Sequence, residues 1–295
     1  TNTNDNAVST LSDSNSGTNT VAENATVGTA VGVTALATDA DTGATITYSL
    51  SDDAGGKFAI NSSTGVVTVA SALDYESATS HTITVLATSS DGSTNSGNYT
   101  IAVTNTNEAP TITSGATATF AENATGTVYT ATATDPDAST TLSYSLSGTD
   151  AALFNIDSST GAVTFKAAPN YEAASDAGGN NVYDINVIAS DGTLTATKAV
   201  AITVTNTNDN AVSTLSDSNS GTNTVAENAT VGTAVGVTAL ATDADTGATI
   251  TYSLSDDAGG KFAINSSTGV VTVASALDYE SATSHTITVL ATSSD

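Results

Sequence analysis

Residues 1–91 recur without a single change as residues 205–295. A chain that copies itself at an offset of 204 residues must fold as units that can be laid down in series. The tripeptide Asn-Thr-Asn followed by an acid marks the joints. It stands at Asn2-Thr3-Asn4-Asp5, Asn105-Thr106-Asn107-Glu108 and Asn206-Thr207-Asn208-Asp209. The copies lie 103 and 101 residues apart, so each unit has the size of an ordinary β-sandwich. The stretch between the two identical copies has the same layout with different residues. The organisation expected is a linker at 1–6, module A at 7–104, a linker at 105–108, module B at 109–205, a linker at 206–209, and an incomplete copy of module A at 210–295.

Each module reads as strands. Alternation of apolar and polar residues over short runs, with turn formers between them, is the signature of half-buried strands. In the first module it predicts a split first strand at Ala7–Leu11 and Thr20–Ala22. Further strands are predicted at Ala30–Thr38, Thr45–Ser51, Lys57–Ile60, Gly65–Ala70, His81–Thr88 and Asn98–Thr104. His81, Ile83, Val85 and Ala87 share one face, as do Tyr99, Ile101 and Val103. The middle module repeats this with Tyr183, Ile185, Val187 and Ala189, then with Val200, Ile202 and Val204. Seven strands with turns every 8–12 residues describe an all-β, Ig-like, Greek-key sandwich, here in an elongated tandem array. The third module stops at Asp295, before any counterpart of Asn98–Thr104. Two readings stay open: the sequence is a window cut from a longer chain, or a neighbouring chain supplies the last strand.

Charge narrows the function classes. Four lysines, no arginine and thirty acids leave a formal charge of −26, so no basic patch for nucleic acid can be assembled. Cysteine is absent, which removes disulfides and thiol chemistry. No apolar run approaches the length of a membrane-spanning helix, and no signal peptide is visible. No Ser-His-Asp set can be built in the middle module, which lacks histidine, and the clustered acids that could supply a glycosidase carboxylate pair lie at module junctions, where metal explains them better. The only histidines, His81 and its copy His285, align with Tyr183 on an inward strand face. No Gly-rich phosphate loop opens a helix. Without tryptophan, a sugar-binding aromatic platform is not evident.

The acids fall at fixed places in every module. The first has Glu23-Asn24, Asp39-Ala40-Asp41, Asp74-Tyr75-Glu76 and Asp91-Gly92. The middle has Glu122-Asn123, Asp135-Pro136-Asp137, Asn170-Tyr171-Glu172 and Asp191-Gly192. In a sandwich, the Glu-Asn and Asp-Tyr-Glu segments lie toward the module's C-terminal end. The Asp-X-Asp and Asp-Gly segments lie toward the N-terminal end of the next. Carboxylates, amides and carbonyls gathered around a linker are ligands for a hard cation such as Ca²⁺, while zinc-type ligands are missing. Asp13, Asp52, Asp53, Asp150, Asp157, Asp176 and Asp184 fall outside this pattern and read as ordinary solvated turn residues.

The order Glu-Asn, Ala-Thr-Asp-X-Asp, Tyr-Ser-Leu, Phe-X-Ile-(Asn/Asp)-X-X-Thr-Gly, Leu-Asp-Tyr-Glu and linker resembles the cadherin repeat, in three copies over nearly the whole chain. The lack of arginine and cysteine and the identical copies make it similar to bacterial cadherin-like adhesin repeats. The resemblance implies a cluster of Ca²⁺ ions, usually three, at each junction. Carried over by position, the first junction uses Glu23, Asp74, Glu76, the carbonyl of Thr106, Asn107, Glu108, Asp135, Asp137 and Asp191. The second uses Glu122, Glu172, the carbonyl of Thr207, Asn208, Asp209, Asp243 and Asp245. Asn170 replaces an acid there, and Asp295 is displaced relative to Asp191, so the second junction is expected to bind calcium more weakly or to bind fewer ions. Asp5, Asp39, Asp41 and Asp91 lack a preceding module; Glu227, Asp278 and Glu280 lack a following one. The function implied is a calcium-stiffened spacer in an extracellular, surface-exposed adhesin or filament, not an enzyme. A module that binds glycans or copies of itself stands as the alternative.

Overall fold

The structure is a computed structural model and describes residues 6–294; Asn2-Thr3-Asn4-Asp5 and Asp295 lie outside the described residues. The chain groups into two compact units. The first comprises the chain up to Thr113 with Ala133–Ser143 and Ala189–Ala196; the second comprises Ser114–Thr132, Tyr144–Ile188 and the chain from Thr197 on. The division falls inside the middle module, so the linkers at 105–108 and 206–209 each share a unit with the acids expected around them.

The first unit holds β1 (Ser12–Asp13), β2 (Thr20–Ala22), β3 (Ala30–Leu36), β4 (Ile46–Asp52), β5 (Phe58–Ile60), β6 (Val66–Val69), β7 (Ser80–Ser89) and β8 (Thr94–Thr104). They form two four-stranded sheets, β1-β3-β6-β5 and β2-β8-β7-β4. In the second sheet β8 lies antiparallel to β7, with His81 opposite Ile101 and Ile83 opposite Tyr99. On its other side β8 runs parallel to β2, with Val21 opposite Val103. Because strand side chains alternate between faces, Val31, Val33, Val67 and Val69 of one sheet and Ile83, Val85, Ile101 and Val103 of the other meet in one core. His81 packs edge-on against Phe58 at 5.7 Å, an ordinary wall position. The Thr-Gly turn before β6 requires its glycine: Gly65 has φ +68°, and a Cβ there would lie 2.2 Å from the Ala35 carbonyl oxygen.

The middle module adds β9 (Thr111–Ile112), β10 (Thr117–Ala121), β11 (Thr127–Thr130), β12 (Ala133–Thr134), β13 (Ser143–Ser147), β14 (Phe154–Ile156), β15 (Ala162–Phe165), β16 (Val182–Ser190) and β17 (Thr195–Thr205). The short β9–β12 ladder belongs to the first unit. In the second unit lie β11-β15-β14 and most of the sheet β10-β17-β16-β13. Tyr183 replaces His81 and meets Phe154 and Phe165 edge-on at 5.9 and 5.1 Å. The third module supplies β18 (Ser216–Asp217), β19 (Ala234–Leu240), β20 (Ile250–Asp256), β21 (Phe262–Ile264), β22 (Val270–Val273) and β23 (Thr288–Ser293). Its sheets are β18-β19-β22-β21 and the pair β20-β23. Among the described residues no helix is long and apolar enough to cross a membrane.

Two expectations need correction. Ala7–Leu11 is not a strand. The ladder forms one step later, where Ser12 and Asp13 pair with Leu36 and Ala35, while Val8 buries its side chain in the core from a loop. Nor are all the remaining aspartates solvated turn residues: Asp13, Asp52 and Asp184 lie on β1, β4 and β16, and Asp150 and Asp176 are 4% and 7% exposed. Asp150 accepts the Ala177 and Asp184 amides, and Asp176 accepts the Asn180 and Asn181 amides. Together they clamp an insertion before β16 that module A lacks, and buried carboxylates tolerate that position because every oxygen is paired.

Candidate metal centre

Glu23 follows β2 directly and is the keystone of the first cluster. Its Oε1 accepts the Thr106 amide and its Oε2 the Tyr75 amide, both at 2.7 Å. One side chain, 8% exposed, thus ties the strand end, the Asp-Tyr-Glu loop and the linker together. Carboxylate oxygens of Glu23, Glu76 and Glu108 lie within 4.8 Å of one another. Asp137 joins them through the linker: its Oδ2 accepts the Glu108 amide and its Oδ1 the Asn105 side chain. Asp135 Oδ1 caps the Asp137 amide. Asp191 accepts the Asn107 side-chain amide at 2.7 Å and holds its own turn through the Thr193 and Leu194 amides. Asp74 is the exception. Both its oxygens are engaged by Ser77, and it stands outside the tight group of three.

The second cluster repeats the frame. Glu122, 2% exposed, accepts the Thr207 amide at 2.8 Å and the Tyr171 amide at 2.7 Å. Oxygens of Glu122, Glu172 and Asp209 lie within 4.8 Å of one another. Asn170 Oδ1 caps the Ala173 amide as Asp74 caps Ser77, so the turn is kept and the charge is lost. Asp245 accepts the backbone and side-chain amides of Asn210, and Asp243 caps the Asp245 amide. Asp209 accepts the side chains of Asn123 and Asn210. Asn208 is exposed.

Sequence reasoning missed Asn105, Asn123 and Asn210. Their signal is position: Asn105 opens the linker, Asn123 belongs to the Glu-Asn pair and Asn210 follows the linker acid Asp209. It also undervalued the aspartate after the sixth strand in module A. Asp39, Asp41 and Asp91 bring oxygens within 4.8 Å of one another, so the displacement is absorbed by the turn between β7 and β8. Asp295, which repeats Asp91, lies outside the described residues. Glu227, Asp278 and Glu280 also approach within 4.8 Å, but all three are exposed.

Crowded acids leave an electrostatic mark. Burial, together with the charges of Glu23 and Asp137, pushes the Glu76 and Glu108 carboxyls above the usual range. Burial and the charges of Glu122 and Asp209 do the same to Glu172. Asp74 and Asp191 go the other way, held down by the hydrogen bonds they accept from Ser77 and from Asn107, Thr193 and Leu194. Buried oxygens without a hydrogen-bond donor complete the picture: Glu108 Oε2 and Asp135 Oδ2 in the first cluster, both Glu172 oxygens, Asp243 Oδ2 and Asn206 Oδ1 in the second. A buried carboxylate oxygen with no donor is costly. An all-oxygen set of orphaned acceptors suits Ca²⁺, which takes six to eight such ligands.

Comparison with known proteins gives the family. A family model described as Cadherin domain matches residues 18–104, 116–205 and 222–295. Mouse Cadherin-23 is 34% identical over 203 residues, covering 64% of this chain and 6% of that protein. Mouse Protocadherin Fat 4 is 35% identical over 164 residues, covering 52% of this chain and 3% of that protein. The chain therefore spans only a small part of the length of these curated relatives. Among solved structures, the Protocadherin gammaB7 EC3-6 cis-dimer superposes with a TM-score of 0.66 at 26% identity, over 93% of this chain and 71% of that one. Mouse Cadherin-23 EC22-24 gives 0.60 at 26% identity, over 97% and 93%. With three matches that together take in well over half of its residues, the chain belongs to the cadherin family, as a run of tandem cadherin domains.

Proposed function

We propose that both junction clusters bind Ca²⁺ and that the ions lock successive domains, so that the chain works as a stiffened extracellular spacer in an adhesive surface protein. The observation that carries this is the set of buried, donor-less carboxylate oxygens around each linker. Cadherin domains bind calcium in general, and the related cadherins are extracellular adhesion proteins rather than enzymes. In the first junction the ligands are Glu23, Glu76, Glu108, Asp135, Asp137 and Asp191, with the Thr106 carbonyl, the Asn107 side chain and Asp74. In the second they are Glu122, Glu172, Asp209, Asp243 and Asp245, with the Thr207 carbonyl and Asn208. Bound Ca²⁺ supplies positive charge where like charges otherwise repel. The protein's part is to hold that charge density in place. Glu23 and Glu122 clamp linker to loop through two amides each, and Asn107 and Asn210 orient aspartates of the following domain.

The array belongs, on this reading, to a bacterial surface adhesin or filament. The support is compositional: no arginine, no cysteine, and two identical copies flanking a divergent one. Small-angle scattering with calcium and then with chelator tests the stiffening. The expected result is a longer maximum dimension with calcium and a broader, shorter distance distribution without it. An unchanged distribution rejects the mechanism.

A further inference from the structure

Asp-Gly occurs twice in the chain, within Ser90-Asp91-Gly92-Ser93 and Ser190-Asp191-Gly192-Thr193. Such a pair can modify itself, because a glycine without a side chain leaves its main-chain nitrogen open to the carboxyl carbon before it. With nearly the same neighbours, the two pairs react alike in an unfolded chain. The fold treats them differently. Between β7 and β8 the Gly92 amide donates to the Ser89 main-chain carbonyl at 2.9 Å, and Asp91 Oδ1 accepts the Ser93 amide. Between β16 and β17 the Gly192 amide donates instead to the Ser190 hydroxyl at 3.0 Å, a side chain that can turn away. There Asp191 Oδ1 accepts two amides, those of Thr193 and Leu194, both at 2.6 Å. Gly192 is exposed.

We propose that Asp191-Gly192 is a self-modifying bond of the calcium-free chain, isomerising through a cyclic imide to isoaspartate. The Gly192 nitrogen forms a bond to Asp191 Cγ. Oδ1 takes the negative charge of the tetrahedral intermediate at the point where two N–H groups already converge, an arrangement that stabilises an oxyanion. Oδ2 then leaves as water, carrying the Gly192 amide proton and one proton from solvent. Water reopens the imide. Attack at the Asp191 main-chain carbonyl breaks its bond to the Gly192 nitrogen and leaves the chain running through Cγ, one methylene longer. The carboxylate so formed no longer stands where the Asn107 side chain holds Oδ2. No reagent beyond water is consumed. On the reading of Asp191 as a calcium ligand, calcium is the gate: a carboxylate occupied by an ion does not yield its carbon to attack. Loss of calcium then starts a slow, one-way loosening of the first junction.

The 295-residue chain is incubated at neutral pH and body temperature, once with calcium and once with chelator. Peptide mapping with radical fragmentation locates isoaspartate, and an isoaspartyl methyltransferase counts it. In the folded, chelated chain isoaspartate should build up at Asp191 at least about threefold faster than at Asp91, the scale of one main-chain hydrogen bond left unbroken. In concentrated urea the two rates should become equal, which ties the difference to the fold. Calcium should slow Asp191. Asp91 matching or overtaking Asp191 in the folded chain overturns the proposal, as does a difference that survives urea. An Asp191 rate that calcium leaves unmoved, with the difference from Asp91 intact, overturns the gate and the ligand role of Asp191 while the labile bond stands.

Discussion

The two junctions share one frame and differ in charge. Glu23 and Glu122 occupy the same place, each accepting one linker amide and one loop amide. Asp74 and Asn170 cap the same turn. What changes is the count of acids: seven expected ligands in the first junction are carboxylates, against five in the second once Asn170 and the undescribed Asp295 are set aside. Local geometry therefore outlasts loss of charge, because an amide oxygen caps a turn as well as a carboxylate oxygen does. The frame and the charge can be tested separately.

The largest effect is expected from breaking the frame. Glu23→Ala strands the Thr106 and Tyr75 amides, and Glu122→Ala strands those of Thr207 and Tyr171. Each change should cost about 1–2 kcal/mol of stability without calcium, since partly buried donors lose their acceptor. Calorimetric unfolding gives the cost, and amide exchange at the four named residues locates it. The two costs should agree within about 1 kcal/mol. A costly Glu23→Ala beside a neutral Glu122→Ala breaks the idea of a common frame.

A smaller effect is expected from exchanging charge alone. Asn170→Asp keeps the cap and adds a carboxylate to the second junction; Asp74→Asn removes one from the first. One carboxylate gained or lost beside a doubly charged ion should move calcium affinity by at least about fivefold, up in the second junction and down in the first. Calorimetric titration of the full chain should therefore resolve two site classes in the unaltered protein and bring them closer in the double variant. Equal affinities at both junctions before any substitution would remove charge count as the distinguishing feature.

How much of this was legible follows a physical line. Strand faces were readable because burial imposes a period of two, and Ile83, Val85 and Ala87 are all fully buried as the alternation requires. Ala7–Leu11 misled because Val8 and Leu11 look like a strand face, while pairing is decided by the partner's register, here Leu36 with Ser12. The acids were readable because they recur at fixed places in a repeat. Their engagements were not. That Ser77 occupies both oxygens of Asp74 depends on local turn geometry. That Asp150 is buried depends on amides 27 and 34 residues away. Periodicity carries information about faces, and little about which distant donor meets which oxygen.

The smallest effect is one of pH, and it separates proton from metal. In the metal-free chain Glu76 and Glu108 have carboxyls raised by burial and by neighbouring acids. A raised folded value means that folding favours the protonated form. Their contribution to stability is present below the ordinary glutamate range and is lost as pH rises through the raised values. Asp74 and Asp191 are lowered, so theirs is present above the ordinary aspartate range and is lost as pH falls through the lowered values. Metal-free protein taken from neutral pH toward about pH 5 should therefore gain stability, and lose it again on further acidification. Glu108→Gln should flatten the rise by removing one of the repelling carboxylates. Glu172 is raised in the second junction as well, so Glu172→Gln should flatten a matching rise there. With calcium present the rise should vanish, because proton and cation compete for the same oxygens. A metal-free unfolding temperature that falls steadily from neutral pH downward would show that the crowded glutamates carry no strain, and the difference between the junctions would then lie in ligand count alone.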